Sequence, residues 1–196
     1  KEIEQEGFIS PAVCKEIRID LPDEERLEYA AANDSERYRM AATTPSKLSV
    51  VKRLIAQHPD ERILVIGQYL DQLAELGEAL GVPEITGATP VDERERLFHA
   101  FREGTERVIV VSKVANFSID LPEASVAIQV SGAFGSRQEE AQRLGRLLRP
   151  KKSADVATFY TLVARDTVDQ DYAQNRQRFL AEQGYAYEIV DAHTIQ

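Results

Sequence analysis

The chain alternates short apolar runs with longer amphipathic stretches. Residues 62–67 (RILVIG), 107–112 (RVIVVS), 125–130 (SVAIQV) and 155–163 (DVATFYTLV) are nearly continuous apolar runs of strand length. Apolarity that is continuous rather than alternating is what a strand covered on both faces requires. Residues 15–20 (KEIRID) alternate polar and apolar like an entering strand, 84–86 form a minimal strand, and 185–190 a last one. Helical stretches fill the gaps. Residues 23–42 are charged and Ala-rich; 46–58 start at Ser46 as N-cap and stop at Pro59; 71–80 end at Gly81. Residues 91–102 follow Thr89 as cap and Pro90 at the first helical position, with Gly104 behind them; 137–149 and 167–183 complete the set. Such alternation predicts an α/β domain, with a mostly parallel central sheet covered by helices on both faces. In such a sheet ligands gather at the loops beyond the carboxyl ends of the strands. Those loops hold Gly67 and Gln68, 86–89, 112–120 and 131–137. Residues 1–43 differ in composition and read as a leader or connector from a preceding domain; 44–196 read as the domain proper.

Residues 135–151 read GSRQEEAQRLGRLLRPK. On a helix, Gln142, Arg146 at i+4 and Arg149 at i+7 share one narrow stripe, while Ala141, Leu144, Leu147 and Leu148 face the other way. Arg146 and Arg149 then stand roughly 5 Å apart along the axis. Two guanidinium groups that close repel unless an anion sits in front of them, and the planar fork of arginine suits a phosphate. Gly145 within the stretch costs about 1 kcal/mol against alanine, which points to close approach by another backbone or a ligand. The alternative is a solvated basic face paired with Glu139 or Glu140.

Composition narrows the partners. The 196 residues carry a formal net charge of -9, which argues against a generally cationic nucleic-acid binder. Nucleic acid would have to meet a local patch, and 137–152 supplies one: Arg137, Arg143, Arg146, Arg149, Lys151 and Lys152 against Glu139 and Glu140. The single Cys14 excludes an internal disulfide and a cysteine-based metal site, and His58, His99 and His193 lack metal-ligand spacing. No window is apolar enough to span a membrane and no signal peptide is visible, so the expected location is intracellular. The start at Lys1 fits a piece cut from a longer protein.

An α/β domain that turns over nucleotide normally carries a G-x-x-x-x-G-K-[ST] loop. None is present, and no Asp-Glu pair follows a buried strand to hold magnesium. Arginines suited to phosphate without a phosphate cradle suggest half an active site, in which they act on a nucleotide held by another domain.

These residues resemble the second RecA-like domain of superfamily 2 helicases of the XPB type. ITGATPVDERERLFHAFREG is similar to the family's motif around the fourth and fifth strands, VIVVSKVANFSIDLPEASVAIQVSG to motif V and the strand after it, and GSRQEEAQRLGRLLRPK to motif VI. The resemblance runs over about 44–190. It implies a RecA-like three-layer sandwich and the C-terminal half of an ATP-dependent DNA helicase or translocase. ATP and magnesium would be held mainly by an N-terminal RecA-like domain of the same protein, and this half would be inactive alone. The implied partners are that N-terminal domain, DNA, and a repair nuclease.

By the same resemblance Arg146 and Arg149 are arginine fingers that reach the γ-phosphate, with Gln142 sensing the nucleotide or coupling it to closure. Asp120 approaches the ribose or orients an arginine, and Gly145 lies against the nucleotide. Thr86, Gly87, Thr89, Ser112, Lys113, Asn116 and Arg137 contact the backbone of a nucleic-acid strand, which positions the protein without reading sequence. Ser131, Gly132, Gly135 and Ser136 join that loop, and Gln68 and Tyr69 fall where motif IV stands. Each has a plain alternative: Asp120 as a turn residue before Pro122, Thr86 to Thr89 as a helix cap, Ser112 to Asn116 as loop chemistry. Other readings of the whole are a docking module for a nuclease, a Swi/Snf-type translocase half, or an RNA enzyme.

Overall fold

The computed structural model describes residues 12–112, 123–132, 148–149 and 156–196. Seven strands form one sheet: β1 (Ala12–Ile19), β2 (Ile63–Gly67), β3 (Glu84–Ile85), β4 (Val108–Ser112), β5 (Val126–Gln129), β6 (Ala157–Ala164) and β7 (Ala186–Asp191). Their order across the sheet is β3-β4-β2-β5-β6-β1-β7, and every pairing is parallel. Among the described residues six α-helices accompany them: α1 (Asp23–Ala31), α2 (Asp34–Ala42), α3 (Ser46–Gln57), α4 (Leu70–Leu80), α5 (Val91–Glu103) and α6 (Val168–Glu182).

The apolar runs explain the layers. Along β2, Ile63 and Val65 face one side and Leu64 and Ile66 the other, and β4 divides Val108 and Val110 from Ile109 and Val111 in the same way. One core takes Val50, Val51 and Leu54 of α3 with Leu73 and Leu76 of α4. The other takes Leu97, Phe98 and Phe101 of α5, Leu180 of α6, and Leu148. Helices therefore cover both faces, because a strand buried on both sides leaves two apolar surfaces to be shielded. Gly81 and Gly104 end α4 and α5 in the left-handed region, at φ 68° and 86°, where a side chain is disfavoured.

Several boundaries differ from the sequence reading, each for a physical reason. Residues 12–43 are not set apart from the sheet. β1 lies between β6 and β7 and pairs with β6 along its whole length, from Ala12 with Ala157 to Ile19 with Ala164. Its polar look conceals internal pairing: Glu16 is fully buried, accepts from the Tyr187 hydroxyl at 2.7 Å and pairs with the Arg18 guanidinium at 2.8 Å. The helix read over 23–42 is two helices, because Asn33 caps α2 by accepting from the Glu36 N–H at 3.0 Å. Pro90, not Thr89, stands at the N-cap position of α5, while the Thr89 hydroxyl accepts from the Thr86 N–H at 2.9 Å. Ser46 is the first residue of α3 rather than its cap. The helix read over 137–149 does not extend through its last two positions: Leu148 forms a parallel bridge with Ala124, and the Arg149 N–H donates to the Ala124 carbonyl at 2.9 Å.

Candidate functional site

Because every strand runs the same way, the chain exits β3, β4, β2, β5 and β6 along one edge of the sheet. That edge carries Thr86 to Thr89, Ser112, Gln68 and Tyr69, Ser131 and Gly132, and Arg165 to Thr167, together with the N-termini of α4, α5 and α6. The Thr86 to Thr89 turn is closed by its own side chains: Thr86 N–H to the Thr89 hydroxyl, and Ala88 N–H to the Thr86 hydroxyl at 3.1 Å. Gly87 at its tip is exposed. Ser112 is only 2% exposed. It ends a strand buried at every position.

The exit of β5 is held most firmly. Lys47 of α3 is 1% exposed, and its ammonium donates to the Ala42 carbonyl at 3.0 Å, the Val130 carbonyl at 2.7 Å and the Asp169 carboxylate at 3.1 Å. The same Asp169 oxygen accepts from the Ala164 N–H at 2.9 Å. Burial pulls the Lys47 ammonium below its ordinary range, and the neighbouring Asp169 charge opposes that shift. One residue on, the Ser131 hydroxyl donates to the Gln72 side-chain oxygen at 2.7 Å and accepts from the Gln68 N–H at 2.9 Å. The Gln72 amide donates in turn to Ala42 at 3.0 Å. The Gly132 N–H donates to the Tyr38 hydroxyl at 3.0 Å, and the Gln129 side-chain amide donates to the Gly132 carbonyl. Burial pushes the Tyr38 phenol well above its usual value, with the Asp169 charge adding to the shift. The phenol therefore stays neutral. Gly67 has no room for a side chain, since a Cβ there would lie 2.8 Å from Leu73 and 3.0 Å from Val130.

Around this exit lies an aromatic group. Tyr38 meets Tyr172 edge-on at 5.3 Å between ring centroids and Tyr69 at 6.2 Å. The Arg39 guanidinium sits 4.6 Å over the Tyr69 ring and pairs with Asp71 at 2.6 Å.

Arg149 lies at the opposite edge. Ala124, its backbone partner, precedes β5, so Arg149 backs onto the amino end of the sheet. Its Nη1 donates to the Leu148 carbonyl at 3.0 Å and its Nε lies 3.6 Å from Glu123. Both side chains of that pair are about half exposed, 49% and 58%. The stripe read through Gln142, Arg146 and Arg149 therefore does not continue in helical form to Arg149. Gln142, Gly145, Arg146, Asp120, Lys113, Asn116 and Arg137 lie outside the described residues. Among the described residues no group of three His, Cys, Asp or Glu comes together as a metal would require, and no helix is long and apolar enough to cross a membrane.

The family model described as ERCC3/RAD25/XPB C-terminal helicase matches residues 3–196. The chain belongs to that family. It is 65% identical over 195 residues to the DNA 3'-5' helicase XPB of Kineococcus radiotolerans, covering 100% of this chain and 35% of that protein. It is 62% identical over 192 residues to the XPB helicase of Mycobacterium tuberculosis, covering 98% and 35%. With the XPB subunit of the Drosophila melanogaster general transcription and DNA repair factor IIH the identity is 37%, over 96% of this chain and 25% of that one. The chain thus spans about a third of the length of its bacterial relatives. In fold it is similar to the C-terminal domain of the DEAD-box protein Dbp5, with TM-score 0.68 at 15% identity over 93% of this chain and 92% of that one. It is also similar to the E. coli DEAD-box protein SrmB, with TM-score 0.63 at 19% identity over 91% and 89%. The RecA-like architecture of an XPB-type C-terminal helicase domain is therefore established.

Within this XPB-type domain, Lys47, Asp169 and Tyr38 are what sequence reasoning missed. Lys47 did leave a signal: it lies at i−3, i−4 and i−7 from Val50, Val51 and Leu54, on the apolar stripe of its helix, where a charge demands a buried partner. Asp169 and Tyr38 left none, since their roles depend on contacts across 122 and 94 residues.

Proposed function

We propose that this chain supplies the second RecA-like half of an ATP-driven DNA helicase or translocase. The match to the C-terminal helicase family over 3–196 carries this reading. The relatives named DNA 3'-5' helicases extend it to movement toward the 5' end of the tracked strand. DNA would be met at the carboxyl edge, where the Thr86 to Thr89 turn, exposed at Gly87 and Ala88, leads into α5 and its first amides suit a backbone phosphate. Lys113, Asn116 and Arg137 would add charge and amide contacts. Among the described residues Arg149 offers a half-exposed guanidinium, paired with Glu123. Nucleotide would be held mainly by an N-terminal RecA-like domain of the same protein. ATP with magnesium, bound there, supplies the transferable phosphoryl group. Arg146 would present its guanidinium to that group and stabilise the charge that develops on it, with Gln142 beside it and Asp120 orienting the ribose or an arginine. Arg149 joins by exchanging Glu123 for phosphate, a change that sacrifices little because an exposed ion pair contributes about 0–1 kcal/mol.

The test is Arg146→Ala in the intact protein. DNA-stimulated ATP hydrolysis should fall by about a thousandfold, as for a lost arginine finger, while DNA affinity stays within a few-fold. Hydrolysis at the wild-type rate would overturn the assignment. The 196-residue chain alone should hydrolyse ATP negligibly and regain activity with the N-terminal domain added in trans.

A further inference from the structure

The chain leaving β1 builds a helix at the β6-β1 end of the carboxyl edge, across the sheet from Thr86 to Thr89 at the β3 end. α1 buries none of its nine residues. A helix that short is marginal alone, and polar contacts hold this one in place. Arg26 donates to the Arg165 and Asp166 carbonyls at 2.9 and 3.0 Å, the Tyr29 hydroxyl accepts from the Val168 N–H at 2.9 Å, and Glu25 accepts from the Thr44 hydroxyl at 2.5 Å. Between α1 and the turn that joins α2 to α3 lies a cleft of about 320 Å³. Leu21, Tyr29, Met40 and Pro45 give it apolar walls, and Glu25 and Glu28 add carboxylates. Among the described residues that line it there is no lysine or arginine. Glu28 also borders the outward face of α1, where Glu24, Leu27, Glu28 and Ala31 share one exposed stripe at i, i+3, i+4 and i+7. Leu27 on that stripe is 72% exposed. A volume at the bottom of the range for small-molecule sites suits one or two side chains rather than a nucleotide. Apolar walls beside carboxylates ask for an apolar side chain flanked by cations, whereas a DNA backbone would meet like charge.

We propose that this cleft docks a cationic segment of a partner protein, with an apolar side chain seated against Tyr29 and Met40 and flanking Lys or Arg side chains on Glu24, Glu25 and Glu28. The site leaves the β3 end of the edge free, so the partner binds without displacing DNA proposed to lie there. It does not depend on the assignment of Arg146. The probe is a fluorescein-labelled peptide that carries Leu-Phe between two arginines on either side, titrated with the intact protein and read by fluorescence anisotropy. Its binding should saturate. Glu28→Lys should weaken it about tenfold or more, because an attraction becomes a repulsion, and Leu27→Ser should weaken it severalfold. Glu103→Lys, at the exposed end of α5, makes the same change in net charge and should leave the affinity within about twofold, since a distant exposed charge is screened. DNA-stimulated ATP hydrolysis should stay at the wild-type rate in these variants, so that a lost contact is not mistaken for a lost fold. The proposal is overturned by an absence of saturable binding, by equal losses in Glu28→Lys and Glu103→Lys, or by a fall in hydrolysis that matches the fall in peptide affinity. Equal affinity for a peptide with Ser-Ser in place of Leu-Phe, or displacement of the peptide by duplex DNA, overturns it as well.

Discussion

Replacing Lys47 by methionine keeps the length and most of the volume of the side chain and removes its charge. The structure shows what is lost: three hydrogen bonds of 2.7 to 3.1 Å from one buried ammonium. The Ala42 carbonyl keeps the Gln72 amide as a donor, and Asp169 keeps the Ala164 N–H. Val130 loses the Lys47 donor, and Asp169 is left as a buried carboxylate without its cation. Breaking a buried ion pair on one side destabilises by about 3–5 kcal/mol. For a chain of this size each kcal/mol lowers the midpoint of thermal unfolding by about 2–4 °C, so the fall should be on the order of 10 °C. Asp169→Asn adds an informative second arm. An amide can still accept from Ala164 but leaves the ammonium unpaired, so it should destabilise by a comparable amount. The double variant should lose clearly less than the sum, since each change removes the partner whose isolation made the other costly. Urea unfolding followed by circular dichroism gives all four free energies. A Lys47→Met effect below about 1 kcal/mol, the level of an exposed pair, would show that the pair does not hold the exit of β5 together.

Gly67→Ala should destabilise by about 1–3 kcal/mol through overpacking, because the new methyl would press on Leu73, Val130 and the Ser131 hydroxyl; an unchanged urea midpoint would refute the close approach. Tyr160 tests alkaline stability. Burial, first, and the Glu61 and Glu188 charges raise its phenol from 10.0 to about 12, so the unfolded chain releases this proton before the folded one. Stability from this group is intact below pH 10 and declines between about 10 and about 12, and Tyr160→Phe should remove about 1.4 kcal/mol per pH unit from the slope in that window. A slope identical to wild type would show that Tyr160 titrates normally.

How far the fold could be read from the chain depended on whether the signal was local. The runs at 62–67, 107–112 and 125–130 carry their own evidence, because a strand buried on both faces must be apolar throughout, and each lies within one residue of an observed strand. Gly81 and Gly104 marked helix ends for an equally local reason. β1 was half legible: its alternation revealed a strand, but its charges masked its place inside the sheet. Glu16 finds its partners at Arg18 and at Tyr187, and the second lies 171 residues away. Of the candidate site, Thr86 to Thr89 stood where the strand order placed them. The arginine stripe was drawn with helical spacing through Arg149, and the bridge of Leu148 to Ala124 overrides that spacing at its end. A pairing made across 24 residues leaves no trace in local periodicity.

The position of Arg149 also bears on how the two proposed activities communicate. Gly132 stands at the carboxyl edge beside Thr86 to Thr89 and the N-termini of α4 and α5, where DNA is proposed to lie. Arg149 stands beside Ala124 at the amino edge. The strand between them, Val126–Gln129, alone spans three strand steps, about 10 Å at the rise of a parallel strand. A grip on DNA and a guanidinium turned toward nucleotide are then too far apart for direct electrostatic contact at physiological salt, where screening acts within about 8 Å. What joins them is β5, buried at every position and flanked by β2 and β6. A strand paired on both sides does not stretch or slide without breaking ladders to two neighbours. Under the function proposed above, a closure that acts at both edges would be carried along β5 as a rigid element. Its two ends are held by different means: Leu148 packs in the core and bridges Ala124 before the strand, and the Tyr38 hydroxyl accepts from the Gly132 N–H after it, so a displacement at either edge must also strain contacts to neighbouring elements.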